Sequence, residues 1–206
     1  MGERAWSRAA LAAGAIVAGA WLLHGGALGV LPPAPVAAQA YDGTPVGPAV
    51  PPLPSSPPVR VRIPALGVDA PVGPLGLDGE GRLEAPPGAD GNLAGWYRDG
   101  AAPGSSGAAV LAGHVDTAHG PAVFYRLGAL RRGDQVEVAR ADRATAWFQV
   151  DGVEIYPKRE FPDAKVYTAT PDAQLRLITC GGAYTREGGW EGNVVVYAHL
   201  VRTQRA

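Results

Sequence analysis

Strict alternation, in short bursts closely punctuated by turns, restricts this chain more than any other feature. In DQVEVAR (134–140) and TAWFQVDGVEIYP (145–157) apolar and polar residues exchange at nearly every step. Successive side chains on a strand point to opposite faces, so such stretches bury one face and wet the other. PVRVRIPALGVDAPV carries the same signal and predicts a strand over residues 59–63 and a short one near 68–72. GRLEAP, after the turn LDGEG, is expected to form a brief strand. AAVLA, between Gly107 and Gly113, is apolar throughout and reads as a buried strand. AQLRLITC and NVVVYAHLV complete the set, and AVFYRLGAL has room for one or two helical turns. About seven or eight short strands with turn signals between them predict an all-β fold, an antiparallel barrel or sandwich, rather than alternating βαβ units.

These strands occupy only residues 59–206, about one ordinary domain. Ahead of them, Arg4 and Arg8 precede an uncharged apolar run at 9–31, long enough to cross a bilayer as a helix. Basic residues on its N-terminal side predict that residues 1–8 stay in the cytoplasm and that the rest lies outside the cell. AAQA at 37–40 resembles a small-residue cleavage site, so a removed signal peptide competes with an uncleaved anchor; the length of the run favours the anchor. Residues 32–58 are dense in proline and nearly uncharged, a composition that builds no core and favours an extended, semi-rigid stalk. With a net charge of −1 and both signs scattered, the chain shows no basic stripe of the kind that binds nucleic acid.

One cysteine, Cys180, follows the apolar strand LRLIT and precedes Gly181 and Gly182. A lone cysteine is often a small buried hydrophobe. At the end of a strand, facing a loop, it is instead reachable as a nucleophile, provided that a base can activate it. Of the four histidines, His24 lies in the apolar run, His119 in a loop, and His199 inside VVVYAHL, where its face is open. His114 ends the buried strand AAVLAG, so it and Cys180 stand at two strand ends and make a candidate base–nucleophile pair. Acyl transfer also needs a donor for the developing oxyanion. Arg186, in the connection GGAYTREGGWEGN, is the candidate that can fold back over the thiol; Arg176 stands about 13 Å up an extended strand from Cys180. The spacing of His114, Asp116 and His119 suits neither a helix face nor a strand face, so no metal and no other cofactor is expected.

RIPALGVDAPV, AGWY, AVLAGHVDT, LITCGG and NVVVYAHL, in this order across residues 59–202, resemble the sortases, and among them the actinobacterial classes E and F, with class F favoured. The resemblance implies a closed eight-stranded β-barrel with short helices behind an N-terminal membrane helix. It implies a Gram-positive cell-surface enzyme whose cysteine attacks the Thr–Gly bond of a C-terminal LPXTG-like sorting signal. The thioester so formed is resolved by an amine from a cell-wall precursor or a pilin lysine. His114 matches the family histidine and Cys180 the family nucleophile. Two positions depart from the family pattern: Arg176 stands where a threonine is usual, and Glu191 and Asn193 stand at places where relatives carry arginine, which is why Arg186 is put forward as the third catalytic residue.

Other functions use the same residues. A cysteine peptidase or amidase would release its product to water. An L,D-transpeptidase would carry histidine just before the cysteine, where this chain reads LITC. An anchored, non-catalytic binding module would hold Cys180 buried and inert.

Overall fold

The computed structural model describes residues 31–168 and 170–205. Almost all of the apolar run 9–31 therefore falls outside the described residues. Among those described, no helix is long and apolar enough to cross a membrane. The alternation read in the sequence appears as register. β1 (Pro58–Ile63) turns through Pro64–Leu66 into β2 (Val68–Leu75), with Arg60 opposite Pro71 and Ile63 opposite Val68. β3 (Ala94–Tyr97) and β4 (Gly107–Gly113) follow. A two-stranded ribbon comes next, β5 (Asp116–Thr117) with β6 (Gly120–Pro121). Then come β7 (Gln135–Arg140), β8 (Ala144–Pro157), the one-turn helix α1 (Asp163–Tyr167), β9 (Ala173–Thr185) and β10 (Gly189–Arg205).

Eight of these strands close into a barrel in the order β1-β2-β3-β4-β9-β10-β8-β7, as the all-β barrel reading expects. Two of its contacts are parallel, β2 with β3 and β4 with β9, so the wall is mixed rather than wholly antiparallel. GRLEAP forms only a single bridge, Leu77 to Leu83, inside the long connection from β2 to β3. AVFYRLGAL supplies one 3-10 turn, Leu127–Ala129. Val61, Ile63, Leu111, Phe124, Phe148 and Leu177 are fully buried inside.

A bulge in β8 breaks the alternation once. Tyr197 faces Gly152 and Ala198 faces Val150, so Asp151 is an extra residue, and Val150 and Val153 both reach the core. A bulge bends and twists its strand. Here it also turns Asp151 and Gly152 to the outer face, where the Pro-rich segment lies along the barrel. Tyr41 stacks on Tyr197 with ring centroids 4.3 Å apart. The Tyr41 N–H donates to Glu154 Oε1 (2.9 Å) and the Val46 N–H to Asp151 Oδ1 (2.7 Å). Farther on, the Val50 N–H donates to Leu200 O and the Leu53 N–H to Gly104 O. Four backbone N–H groups of the Pro-rich segment are thus taken up by the barrel.

Gly152 makes this close approach possible: a Cβ there would lie 2.6 Å from Tyr41 Cα and 2.8 Å from its nitrogen. Gly152→Val is therefore expected to push residues 41–46 off the wall and lower stability by about 1–3 kcal/mol, the usual range for an overpacked site. The measurement is the denaturation midpoint together with proteolysis between residues 32 and 57. A wild-type midpoint and an uncut segment would show that the contact contributes nothing.

Candidate active site

β4 and β9 run side by side and parallel, with Ala112 opposite Ile178 as their last pair. β4 stops at Gly113, whereas β9 runs on to Thr185. The buried Thr179 hydroxyl donates to Gly113 O (2.8 Å) and carries the register one step farther. The same offset of sixty-six residues relates His114 to Cys180, which stand two residues past the last pair. Both candidates therefore stand just past the last paired residues of two adjacent strands, at the same end of their contact. Gly113 has to be glycine here, because a Cβ would meet Phe124 at 2.6 Å.

Alternation then assigns their face. Leu175, Leu177 and Thr179 turn inward; Arg176, Ile178 and Cys180 turn outward. Across the antiparallel contact with β10, Arg176 faces Tyr197, Ile178 faces Val195 and Cys180 faces Asn193. Ile178, Val195 and Tyr197 form a second apolar cluster on the outside of the barrel with Val110, and Val166 of α1 closes over it. Cys180 lies at the end of this row, half-exposed and without a disulfide. The thiol is thus neither sealed in the core nor at a strand end. The sequence-based expectation that β9 ends at Cys180 is corrected: the strand passes through it, and the thiol is reachable because it faces outward and because β4 has already turned away.

His114 is half-buried, and its Nε2 lies 2.7 Å from Pro86 O. A carbonyl oxygen only accepts, so Nε2 carries a hydrogen in the neutral ring as in the charged one. Nδ1 is then the nitrogen left to exchange a proton. Just beyond His114, the Trp190 indole N–H donates to the Asp116 carboxylate at 3.2 and 3.3 Å, which ties the β9–β10 hairpin to the segment after the histidine. Tyr184 packs edge-on against the same indole. Trp190 was not picked out in the sequence, where WEGN gives no periodic signal.

The structure does not bring Arg186 to this pair. It is exposed at the tip of the hairpin, in the turn between Thr185 and Gly189, six residues past Cys180. At about 3.3 Å per residue this is on the order of 20 Å of strand. The connection is a paired hairpin and not a loose loop. Arg176 is on the correct face but buried, its guanidinium 4.6 Å from the Tyr197 ring centroid and bonded to Leu175 O and Gln174. Burial pulls its pKa down, although a guanidinium stays charged throughout the working range. Arg202 stacks on Trp147, far along β10. His199 is buried with its Nδ1 2.8 Å from Asp151 Oδ1, away from Cys180. His119 is exposed in the ribbon turn, and among the described residues no group of three His, Cys, Asp or Glu side chains could hold a metal.

The sequence model of the Sortase domain matches residues 61–201, well over half of the chain. The chain belongs to the sortase family. A sortase is a cysteine transpeptidase, and the barrel agrees with solved sortases. Sortase A from Listeria monocytogenes superposes with a TM-score of 0.53 at 20% identity, covering 72% of this chain and 90% of that one. The SrtA sortase from Actinomyces oris gives 0.53 at 22% identity over 80% of this chain and 89% of its own. The pilus-related sortase C of Group B Streptococcus gives 0.54 at 18% identity, over 73% and 70%. At such identities the likeness is one of fold. No curated protein matches this sortase.

Proposed function

We propose that this sortase is a membrane-anchored, extracellular enzyme of class E/F type, with Cys180 as nucleophile and His114 as its acid–base partner. It would cut an LPXTG-like sorting signal and pass the protein to an amine of a cell-wall precursor or a pilin lysine. One observation supports the reading: a cysteine transpeptidase needs a cysteine, the chain has one, and Cys180 and His114 each stand two residues past the last β4–β9 pair, Ala112 with Ile178. The apolar run at 9–31 supports the anchor, and the motif set in the sequence supports the class.

The chemistry follows from the two side chains. The Cys180 thiolate attacks the threonine carbonyl, and an Sγ–C bond forms. The C–N bond to glycine breaks, and the His114 imidazolium gives its Nδ1 proton to the departing amine. The incoming amine then attacks the thioester and returns a proton to Nδ1 as the Sγ–C bond breaks. Neither half needs an oxidant or a metal.

The deciding experiment incubates the full chain in detergent with a fluorescent LPXTG-type peptide, with and without an added primary amine. An amide product that grows with amine concentration is expected, together with a peptide-sized adduct on Cys180 in quenched samples. Free acid alone at every amine concentration would make the protein a peptidase. A thiol that resists alkylation in the folded protein, with no product at all, would make it a binding module.

A further inference from the structure

Arg186 lies exposed at the hairpin tip, Arg176 is buried under Tyr197 and Arg202 stacks on Trp147. We propose that Asn193 holds the reacting carbonyl oxygen, its side-chain amide acting as the oxyanion donor of this enzyme. The inference rests on Cys180 being the nucleophile and adds a residue to that site.

Asn193 is the residue directly opposite Cys180. Directly paired side chains in antiparallel strands have Cβ atoms about 4.5–5.5 Å apart. The pair shares a face, because Val195 and Tyr197, at the next alternate positions of β10, pack in the outer cluster with Ile178, the alternate neighbour of Cys180. Asn193 is half-buried, and among the described residues its carboxamide has no hydrogen-bond partner in the protein. A carboxamide Nδ2 offers two N–H donors, and an acyl carbon bonded to Sγ brings its oxygen within their reach.

A second feature points the same way. The β9–β10 register is regular from His199 to Gly192 and then shifts: Gly192 faces Gly181, but Trp190 faces Tyr184. The extra residue is on β9, where Gly182 and Ala183 stand against Glu191 alone, and the shift lies one step beyond the Cys180–Asn193 pair; Glu191 is exposed. Bulges of this kind recur beside active sites, where they re-aim a side chain. Gly192 lets the backbones of β8 and β9 approach closely here, since a Cβ would lie 2.9 Å from Tyr156 O and 3.2 Å from Gly181 O. A carboxylate opposite Cys180 would repel both the thiolate and the oxyanion, whereas an amide stabilises the oxyanion without a charge of its own.

The test compares Asn193→Ala, the near-isosteric Asn193→Asp, Arg186→Ala and Cys180→Ala in the full chain. It reads kcat and KM for transpeptidation, the rate of Cys180 alkylation by iodoacetamide, and Tm. Loss of one oxyanion donor typically lowers kcat about 100-fold or more. Asn193→Ala is expected to show a loss of this size with KM and alkylation near wild type, and Asn193→Asp to be as slow or slower. Arg186→Ala is expected within about twofold of wild type, as for a surface substitution outside the site. Asn193 variants within about threefold of wild type, with Cys180→Ala dead, would overturn the role of Asn193 and leave the nucleophile in place. The same holds if Arg186→Ala carries the large loss instead. An active Cys180→Ala would remove the underlying reading as well.

Discussion

Cys180→Ala is expected to reduce peptide transfer to background. The covalent route requires a sulfur on the acyl carbon, and no second thiol in the chain can take over. In a hydrolase triad of comparable logic, removing the nucleophile costs about a million-fold in kcat. The alanine variant is expected to fold, because the side chain is half-exposed at the end of the outer apolar row and leaves no core cavity. Its denaturation midpoint should stay close to wild type, and it should still bind the sorting-signal peptide. Mass spectrometry of quenched mixtures reads the outcome directly: an acyl adduct in wild type and none in the variant. Transfer that persists at the wild-type rate would sink the assignment.

His114→Ala ranks next. General acid–base catalysis by a positioned side chain contributes about 10²–10⁴-fold, and a loss in that range is expected. The geometry adds a discriminating detail. Pro86 O fixes hydrogen on Nε2, which leaves Nδ1 as the working nitrogen. Asparagine and glutamine place an amide nitrogen near the Nδ1 and Nε2 positions respectively. His114→Gln keeps a donor for Pro86 O and still lacks a proton acceptor, so it should be as inactive as alanine while being the more stable of the two. Acylation rates and Tm values of both variants check this. A glutamine variant with near wild-type turnover would remove the histidine from the mechanism.

The parts of this architecture that depend on neighbours in the chain were legible from the residues alone. β1, β7 and β8 announce themselves by alternation, and the apolar run before His114 by its glycine bounds. What depends on distant partners was not. The Gly181–Gly182 pair reads as a break, yet Gly182, at φ 87°, stays within a strand because GGAYT finds its partner across a hairpin in GWEGN. That pairing carries Arg186 away from Cys180. Asp151 reads as one more polar step of an alternating strand but is a bulge residue that receives the Val46 N–H. Proline density states that residues 32–58 form no core; only the wall of β8 and β10 states where they lie. The outward face of Cys180 likewise follows from the core positions of Leu175 and Leu177.

The parallel β4–β9 contact also bears on how activity arises in time. Its two strands are joined through β5 to β8 and α1, so it cannot form as a local hairpin and must await the closure of a long loop. Such non-local pairings form late and slow the folding of β-rich chains. A chain still emerging or only partly collapsed would hold its thiol and its imidazole far apart, chemically ordinary and unable to acylate its surroundings. Competence to cut would then appear together with the finished barrel, a safeguard that needs no pro-segment and no inhibitor.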